Sequence, residues 1–509
     1  MSEASQALQR IARGTGIVFA GTVISMFFGF LSRAVIARYF STGEYGVFNL
    51  ALTVLNIALV IAMLGFQNAL PREVAFYREK EPSKVRDLIS TALVIVALNS
   101  VIWTAVLFAG AGDISRLFGD ERLAGALRIV VFALPFWALT GVIISVSRGF
   151  GRVREQVYFQ NIIYPLLFMV FVAVGAFLKF PFDFVFAAYV ISWGLTFLAL
   201  VFSSWKVDLL KFTISLSSKL GKELVKFSVP LMLTGIAGFV MTWTDTLMLG
   251  YYLGSDVVGL YNGAAPIAKL LPIFLNSAGL IFPPLVTVLY VQGKLKEMGR
   301  VYQILTKWIF LATFPLFSLI FLFPEPTISL FFGAKYVSAA PALQILALGF
   351  MFHTFLGLNG WSLIVIGESN FIMYSTLISA VINVVLNALL IPSYNIEGAA
   401  IATAASYFVT NVLNSLRLYQ RTKIHPFSWN YVKPLVISFV LLGLIQSLHL
   451  KVPSIWYAIP VLIVFLAVYM FLVLLSRSID KEDVELFLAI EKRLGVDLRV
   501  IKIVLKRFV

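Results

Sequence analysis

Arg33, Asp245 and Lys269 interrupt stretches of sequence that are otherwise apolar. A charge at the middle of a bilayer costs roughly 3 kcal/mol or more, so such groups pair with one another or turn to a water-filled cavity. Their chemistry is therefore recognition by charge, and all three are candidates for a binding site. Arg33 and Asp245 fall in the outer third of their segments, where snorkelling or a fixed ion pair between them is a structural alternative. Lys269 lies about ten residues, or ~15 Å at 1.5 Å per residue, inside the outer end of its segment, which favours a cavity role.

Neutral polar residues accompany these charges at helical spacing. Residues seven apart share a helix face, and Asn262, Lys269 and Asn276 are so spaced. Asn49, Thr53, Asn56 and Gln67 form a similar stripe, as do Thr22, Ser25, Gly29 and Arg33, and Thr234, Gly238, Thr242 and Asp245. Each amide reads equally well as a ligand contact or as an interhelical hydrogen bond. Asn383 and Asn387, with Ser406, Thr410 and Asn414, read as packing contacts, and His353 as a satisfied core histidine.

The elements that carry these residues must be membrane-spanning helices. The 509 residues are 60% hydrophobic and 13% charged, with a mean hydropathy of +0.93, against about 45–50% apolar and 25% charged in a soluble domain. At about 20 apolar residues per crossing, the apolar runs predict an all-α, polytopic protein of about 14 transmembrane helices. They begin near Gly16 and include 45–70, 225–252, 257–291, 371–392 and 397–416. The first run has no small-residue cleavage site after it and is expected to be an uncleaved helix rather than a signal peptide. Pro266, Pro272, Pro283 and Pro284 each remove a backbone donor, so the eighth helix is expected to be bent or broken.

Lysine and arginine alternate between successive connections, as cytoplasmic retention of positive charge requires. One set of connections and the two ends hold 30 basic residues and the opposite set holds six, so both termini are expected in the cytoplasm. The formal charge of +15 thus reads as orientation rather than nucleic-acid binding.

The turn Tyr39-Phe40-Ser41-Thr42-Gly43-Glu44-Tyr45-Gly46-Val47-Phe48-Asn49 is echoed by the stretch from Tyr251 to Asn262. Gly46, Phe48 and Asn49 align with Gly259, Tyr261 and Asn262 at an offset of 213, which also pairs Asn56 with Lys269, Pro71 with Pro284 and Glu155 with Glu368. This predicts two six-helix lobes in parallel repeat, a plan that places a substrate cavity near the midplane. The expected divisions are 1–204 for the first lobe, 205–224 for a cytoplasmic linker, 225–416 for the second lobe, 432–476 for helices 13 and 14, and 477–509 for an amphipathic cytoplasmic tail.

No cysteine is present and only three histidines, so thiolate metal sites and cysteine nucleophiles are excluded. No GxxxxGK[ST] loop occurs, so an ATPase of its own is not expected. Arg72, Arg148 and Arg152 could meet phosphate at the cytoplasmic mouth, or serve topology and lipid headgroups.

Phe30-Leu31-Ser32-Arg33 through Glu44-Tyr45-Gly46, with Gly65-Phe66 and Pro71-Arg72-Glu73, resembles the polysaccharide (O-antigen type) flippase family. That family shares a superfamily with the multidrug and toxic compound extruders and the lipid II flippases. The resemblance implies two lobes around a central cavity lined by helices 1, 2, 7 and 8, alternating access, and no enzymatic activity or cofactor. Its substrate class is a polyprenyl-pyrophosphate-linked oligosaccharide carried from the cytoplasmic to the outer leaflet of the plasma membrane by a monomer, with a possible coupling cation. Arg33 and Lys269 would then replace the hydration of the pyrophosphate, and the stripe amides would face the sugars. A cation-coupled multidrug exporter would be expected to carry acidic groups in the first lobe, where the buried charge is Arg33. A membrane glycosyltransferase or polymerase would need the DxD motif or paired external carboxylates that the short external loops lack.

Overall fold

The computed structural model describes residues 3–206, 217–448, 452–478, 480 and 482, and is helical throughout its regular structure. Helices are the economical answer in a bilayer, where each backbone group must be satisfied within its own segment. The tail expected to form an amphipathic helix lies, from residue 483 on, outside the described residues. Among the described residues, eleven helices are long and apolar enough to span a membrane, or twelve when Arg122–Val130 and Ala133–Gly149, bent by 42°, count as one span. The sequence reading gives fourteen. The runs 371–392 and 397–416 are two helices that meet at a sharp turn at Asn395 (φ 49°, ψ −128°), as that reading expects. The eighth crossing is divided into Ser255–Ala268 and Ile273–Val291.

The chain forms two compact units, Met1–Pro266 with Thr376–Ser406, and Ile267–Ser375 with Tyr407–Val509. Their boundaries fall elsewhere than those of the sequence repeat. The first unit is built on stacked aromatic rings, Tyr164 on Trp193 at 4.0 Å and Trp193 on Trp137 at 5.0 Å. In the second, Phe314 packs on Tyr469 at 4.4 Å, and Tyr302, buried, donates its hydroxyl to the Leu356 carbonyl.

The repeat is visible inside the first unit as a reciprocal contact. The helix Thr42–Ala62 starts from a capping box, in which the Ser41 N–H donates to Glu44 Oε2 (2.8 Å) and the Glu44 N–H to Ser41 Oγ (3.2 Å). A Cβ on Gly46 would lie 1.7 Å from the Ser255 carbonyl oxygen, and one on Gly259 would lie 1.9 Å from that of Thr42. Gly46 and Gly259 are repeat mates, and so are Thr42 and Ser255, so each glycine touches the mate of its own neighbour. Small residues are what let helix backbones approach this closely in membranes. Thr42 Oγ1 also donates to Asp256 Oδ1 at 3.0 Å across the same crossing.

Proline shapes the first unit by releasing carbonyls, since it has no N–H for the residue four positions earlier. Pro266 releases the carbonyl of Asn262, which the Tyr45 hydroxyl donates to at 3.2 Å. Pro71 releases that of Gln67, which accepts from Ser145 Oγ at 3.3 Å. Pro165 follows a different course: the residues before it, Gln156–Ile163, adopt a π-helix, with the Tyr164 N–H donating to the carbonyl of Phe159. Gly46→Ala and Gly259→Ala are each expected to lower the melting temperature of the detergent-solubilised protein, by the 1–3 kcal/mol or more of an overpacked contact. The double mutant should cost less than the sum, because one crossing is opened, whereas Gly29→Ala, with open space around it, should melt like the wild type.

Candidate functional site

Asp245 is 5% exposed, in the helix Ser218–Leu253 of the first unit. Its carboxylate accepts from Tyr261 Oη (2.5 Å), from Asn387 Nδ2 (2.9 Å), from Asn383 Nδ2 (3.5 Å) and from the Thr403 hydroxyl. All four donors are neutral, and no cation among the described residues lies within salt-bridge distance of the carboxyl. Asn387 Nδ2 also donates to Asn383 Oδ1 at 3.2 Å, while Asn387 Oδ1 is buried with no hydrogen-bond partner. The cluster therefore holds an anion and an acceptor oxygen with nothing to neutralise either, an arrangement that an oxygen-loving cation or a proton completes.

The ion pair between Arg33 and Asp245 that the repeat alignment allowed is not formed. Arg33 is half-buried in the helix Glu3–Tyr39, within electrostatic reach of the hydroxyls of Tyr45, Tyr164 and Tyr189. No carboxylate among the described residues lies within salt-bridge distance of it. A guanidinium offers five donors in a planar fork, a geometry suited to an anion such as a phosphate.

Lys269 is exposed and sits in the break Lys269–Pro272 that divides the eighth crossing, so the cation marks the interruption rather than a helix face. The amides read as stripes are mostly committed to their own helices. Asn49 Nδ2 donates to the Tyr45 carbonyl and Asn56 Nδ2 to that of Leu52, both at 2.7 Å. Asn262 Nδ2 donates to the Val258 carbonyl at 3.0 Å and to Thr246 Oγ1 at 3.4 Å. Asn276 is exposed. Of the arginines read at the mouth, Arg72 pairs with Glu73 and covers the Phe227 ring at 4.6 Å, Arg152 pairs with Glu155 at 2.5 Å, and Arg148 is exposed. Glu368, the repeat mate of Glu155, likewise binds arginine, with Arg417 Nη2 at 2.8 Å and Arg421 Nε at 2.6 Å.

Two groups escaped the sequence reading. Asn383 and Asn387, taken for packing contacts, are the donors to Asp245; their i, i+4 spacing shows a shared face but not what it meets. Lys307, in the helix Leu295–Leu322 of the second unit, is 1% exposed. It pairs with Asp480 and donates to the Ser478 carbonyl at 3.3 Å. Arg300 Nη2 binds Asp480 Oδ1 and Glu482 Oε2, each at 2.9 Å, and Asn430 Nδ2 donates to Asp480 Oδ1 at 2.8 Å. Burial alone would raise the Asp480 carboxyl, but hydrogen bonds from Lys307, Asn430 and Arg300 outweigh it and hold the group below the usual carboxylate range. The start of the C-terminal segment is thereby strapped to the second unit.

Comparison with known proteins places these features. A family model described as polysaccharide biosynthesis protein matches residues 11–288, more than half of the chain. The chain belongs to that family. The MatE model matches residues 230–389 as well. Within the polysaccharide biosynthesis protein family, the chain is similar to the probable low-salt glycan biosynthesis flippase Agl15 of Haloferax volcanii. The two are 25% identical over 453 residues, covering 85% of this chain and 89% of that protein. It is 26% identical over 401 residues to the uncharacterized membrane protein MJ1068 of Methanocaldococcus jannaschii, covering 75% and 78% of the two chains. Its fold is that of the lipid II flippase MurJ in an inward closed conformation, with a TM-score of 0.74 at 17% identity over 90% of this chain and 98% of that one. This family member is a multi-pass membrane protein, all-helical among the described residues.

Replacing Asp480 by Ala leaves the Lys307 ammonium buried without its carboxylate, a loss of about 3–5 kcal/mol by analogy with broken buried pairs. Detergent melting should fall accordingly, and Lys307→Met with Asp480→Leu should recover most of it. Because the folded carboxyl is depressed, its contribution is complete above about pH 4 and fades as the pH falls through the lower folded value. The melting difference between the wild type and Asp480→Ala should therefore be constant from neutral pH down to that range and shrink below it.

Proposed function

We propose that this protein is a flippase that carries polyprenyl-pyrophosphate-linked oligosaccharide from the cytoplasmic to the outer leaflet by alternating access, acting as a monomer in the plasma membrane with both termini cytoplasmic. The observation that carries the reading is Arg33, a cation inside a membrane-spanning helix, within electrostatic reach of three tyrosine hydroxyls and without a carboxylate partner among the described residues. A charge so placed is costly unless a polar cavity or an anion meets it, and a pyrophosphate supplies that anion. Lys269, exposed at a helix break in an apolar segment, adds a second cation within a span. The glycan flippase named among the relatives supports the same substrate class.

Its energy source is an ion gradient. Asp245, Asn383, Asn387 and Thr403 offer a carboxylate, amide oxygens and a hydroxyl, the hard oxygen donors that a monovalent cation such as Na⁺ takes. The buried, unpartnered Asn387 Oδ1 is the oxygen such a cation would use. Neutralising Asp245 removes the cost of its buried charge, so loading the cation and moving the substrate are linked through the energy of one carboxylate.

Reconstituted protein should move a fluorescent polyprenyl-pyrophosphate glycan across vesicles without ATP. Arg33→Gln is expected to slow it about 10- to 100-fold, the worth of a hydrogen bond to a charged group. Export of cationic dyes with no lipid movement would instead favour the multidrug reading that the MatE match raises. Asp245→Asn, which keeps the shape and removes the charge, should abolish any acceleration by an imposed Na⁺ or proton gradient while leaving the purified protein monodisperse. Unchanged gradient dependence in that variant would take the coupling site elsewhere.

A further inference from the structure

The flippase reading places an anion near Arg33 but leaves open where the sugars lie, and the π-helix Gln156–Ile163 bears on that question. π-helical turns are rare and concentrate at functional sites. Here the cause is local. The i→i−5 ladder ends with the Tyr164 N–H on the Phe159 carbonyl, and the next rung would need an N–H from Pro165. Hydroxyls from neighbouring helices take the carbonyls that Pro71 and Pro266 release. Among the described residues no side chain donates to the carbonyl of Gln160 or Asn161, which face the same deficit.

The side chains on this turn add to it. A turn closed by i→i+5 bonds is wider than one of 3.6 residues, so Gln156, Gln160, Asn161 and Tyr164 fall on one side. Gln156, Gln160 and Asn161 are half-buried, and among the described residues none of the three amides has a hydrogen-bond partner. A free amide facing hydrocarbon costs several kcal/mol, and polar groups in spans face the bundle interior or water. The position of Asn161 ties it to a neighbour: a Cβ on Gly21 of the helix Glu3–Tyr39 would come within 3.4 Å of Asn161 Cβ and Nδ2, so the amide lies against the helix that carries Arg33. Arg33 lies farther along that same helix, and its charge reaches the hydroxyl of Tyr164, one π-turn beyond Gln160 and Asn161.

We propose that the π-helix Gln156–Ile163 is a sugar-binding subsite, in which the Gln160 and Asn161 amides and the carbonyls that Pro165 leaves without a donor bind hydroxyls of the first sugars of the lipid-linked glycan. The proposal rests on the flippase reading and extends it. Amides donate and accept at once, and a sugar hydroxyl does the same, so one ring can satisfy both an amide and a bare carbonyl. The subsite confers preference for a glycosylated lipid over the bare lipid pyrophosphate, which Arg33 alone cannot distinguish.

The test compares two synthetic probes on the full-length protein in nanodiscs: a polyprenyl pyrophosphate bearing an oligosaccharide, and the same lipid without sugar. Apolar replacements of similar size, Gln160→Met and Asn161→Leu, are the safer ones in a membrane span. The double variant should bind the glycosylated lipid about 10- to 50-fold more weakly, as two lost hydrogen bonds imply, and the sugar-free lipid with wild-type affinity. That unchanged binding also reports a folded protein. Pro165→Ala, which restores the missing N–H and leaves both amides in the sequence, should likewise reduce discrimination between the lipids. Wild-type affinity of the double variant for the glycosylated lipid, or equal loss on both lipids, overturns the subsite. A wild-type protein that binds both lipids equally overturns the subsite alone, whereas one that binds neither overturns the flippase reading and the subsite with it.

Discussion

Hydrocarbon offers no hydrogen bonds, so any polar group in a span must find its partner inside the protein, and the departures from regularity here answer that requirement. Proline creates the shortage. Where a hydroxyl lies close by, as Tyr45 does for the carbonyl of Asn262 and Ser145 for that of Gln67, the helix continues and gains a tie to its neighbour. At Pro165 the ladder instead changes its spacing before the proline and leaves a polar turn within the span. Asp245 obeys the same rule with side chains, gathering four neutral donors from three helical segments. Asn387 Oδ1 and the amides of the π-helix are among the polar groups that these pairings leave without a partner among the described residues.

Much of the architecture was legible because it rests on repetition and periodicity. The hairpin echo around Tyr39 and Tyr251 fixed an offset, and the structure sets Gly46 and Gly259, the residues that the offset equates, against one another's counterparts. The expected interruption of the eighth crossing was readable from its prolines, and the break falls at Lys269–Pro272. The number of spans is less legible: 371–392 and 397–416 are separate helices about Asn395, as read, whereas fourteen stands against eleven or twelve candidate spans among the described residues.

The site was legible in part. Charges inside apolar runs announce themselves, which is how Arg33, Asp245 and Lys269 were found. Their partners do not, since partnership is a tertiary fact. Repeat logic suggested Asp245 for Arg33, yet the carboxylate is taken by Asn383, Asn387, Thr403 and Tyr261. Stripe logic offered Asn49 and Asn56 to a ligand, although each amide turns back on the carbonyl four residues earlier, an option open to any asparagine in a helix. Pro165 was in plain view, but a missing N–H can be met by a neighbouring hydroxyl, as at Pro71 and Pro266, or by a π-turn, and the sequence does not show which.

The strap at Asp480 has a consequence for the order in which the molecule is completed. Lys307 enters the membrane 173 residues ahead of the carboxylate that neutralises it. At a synthesis rate of about 5–20 residues per second, that gap is roughly ten to thirty seconds. Throughout it the helix Leu295–Leu322 carries near its middle an ammonium that lacks the carboxylate it later pairs with. The contact thus forms only after residue 480 has left the ribosome, so a nascent chain stalled after Leu475 would carry the described spans and still lack this seal.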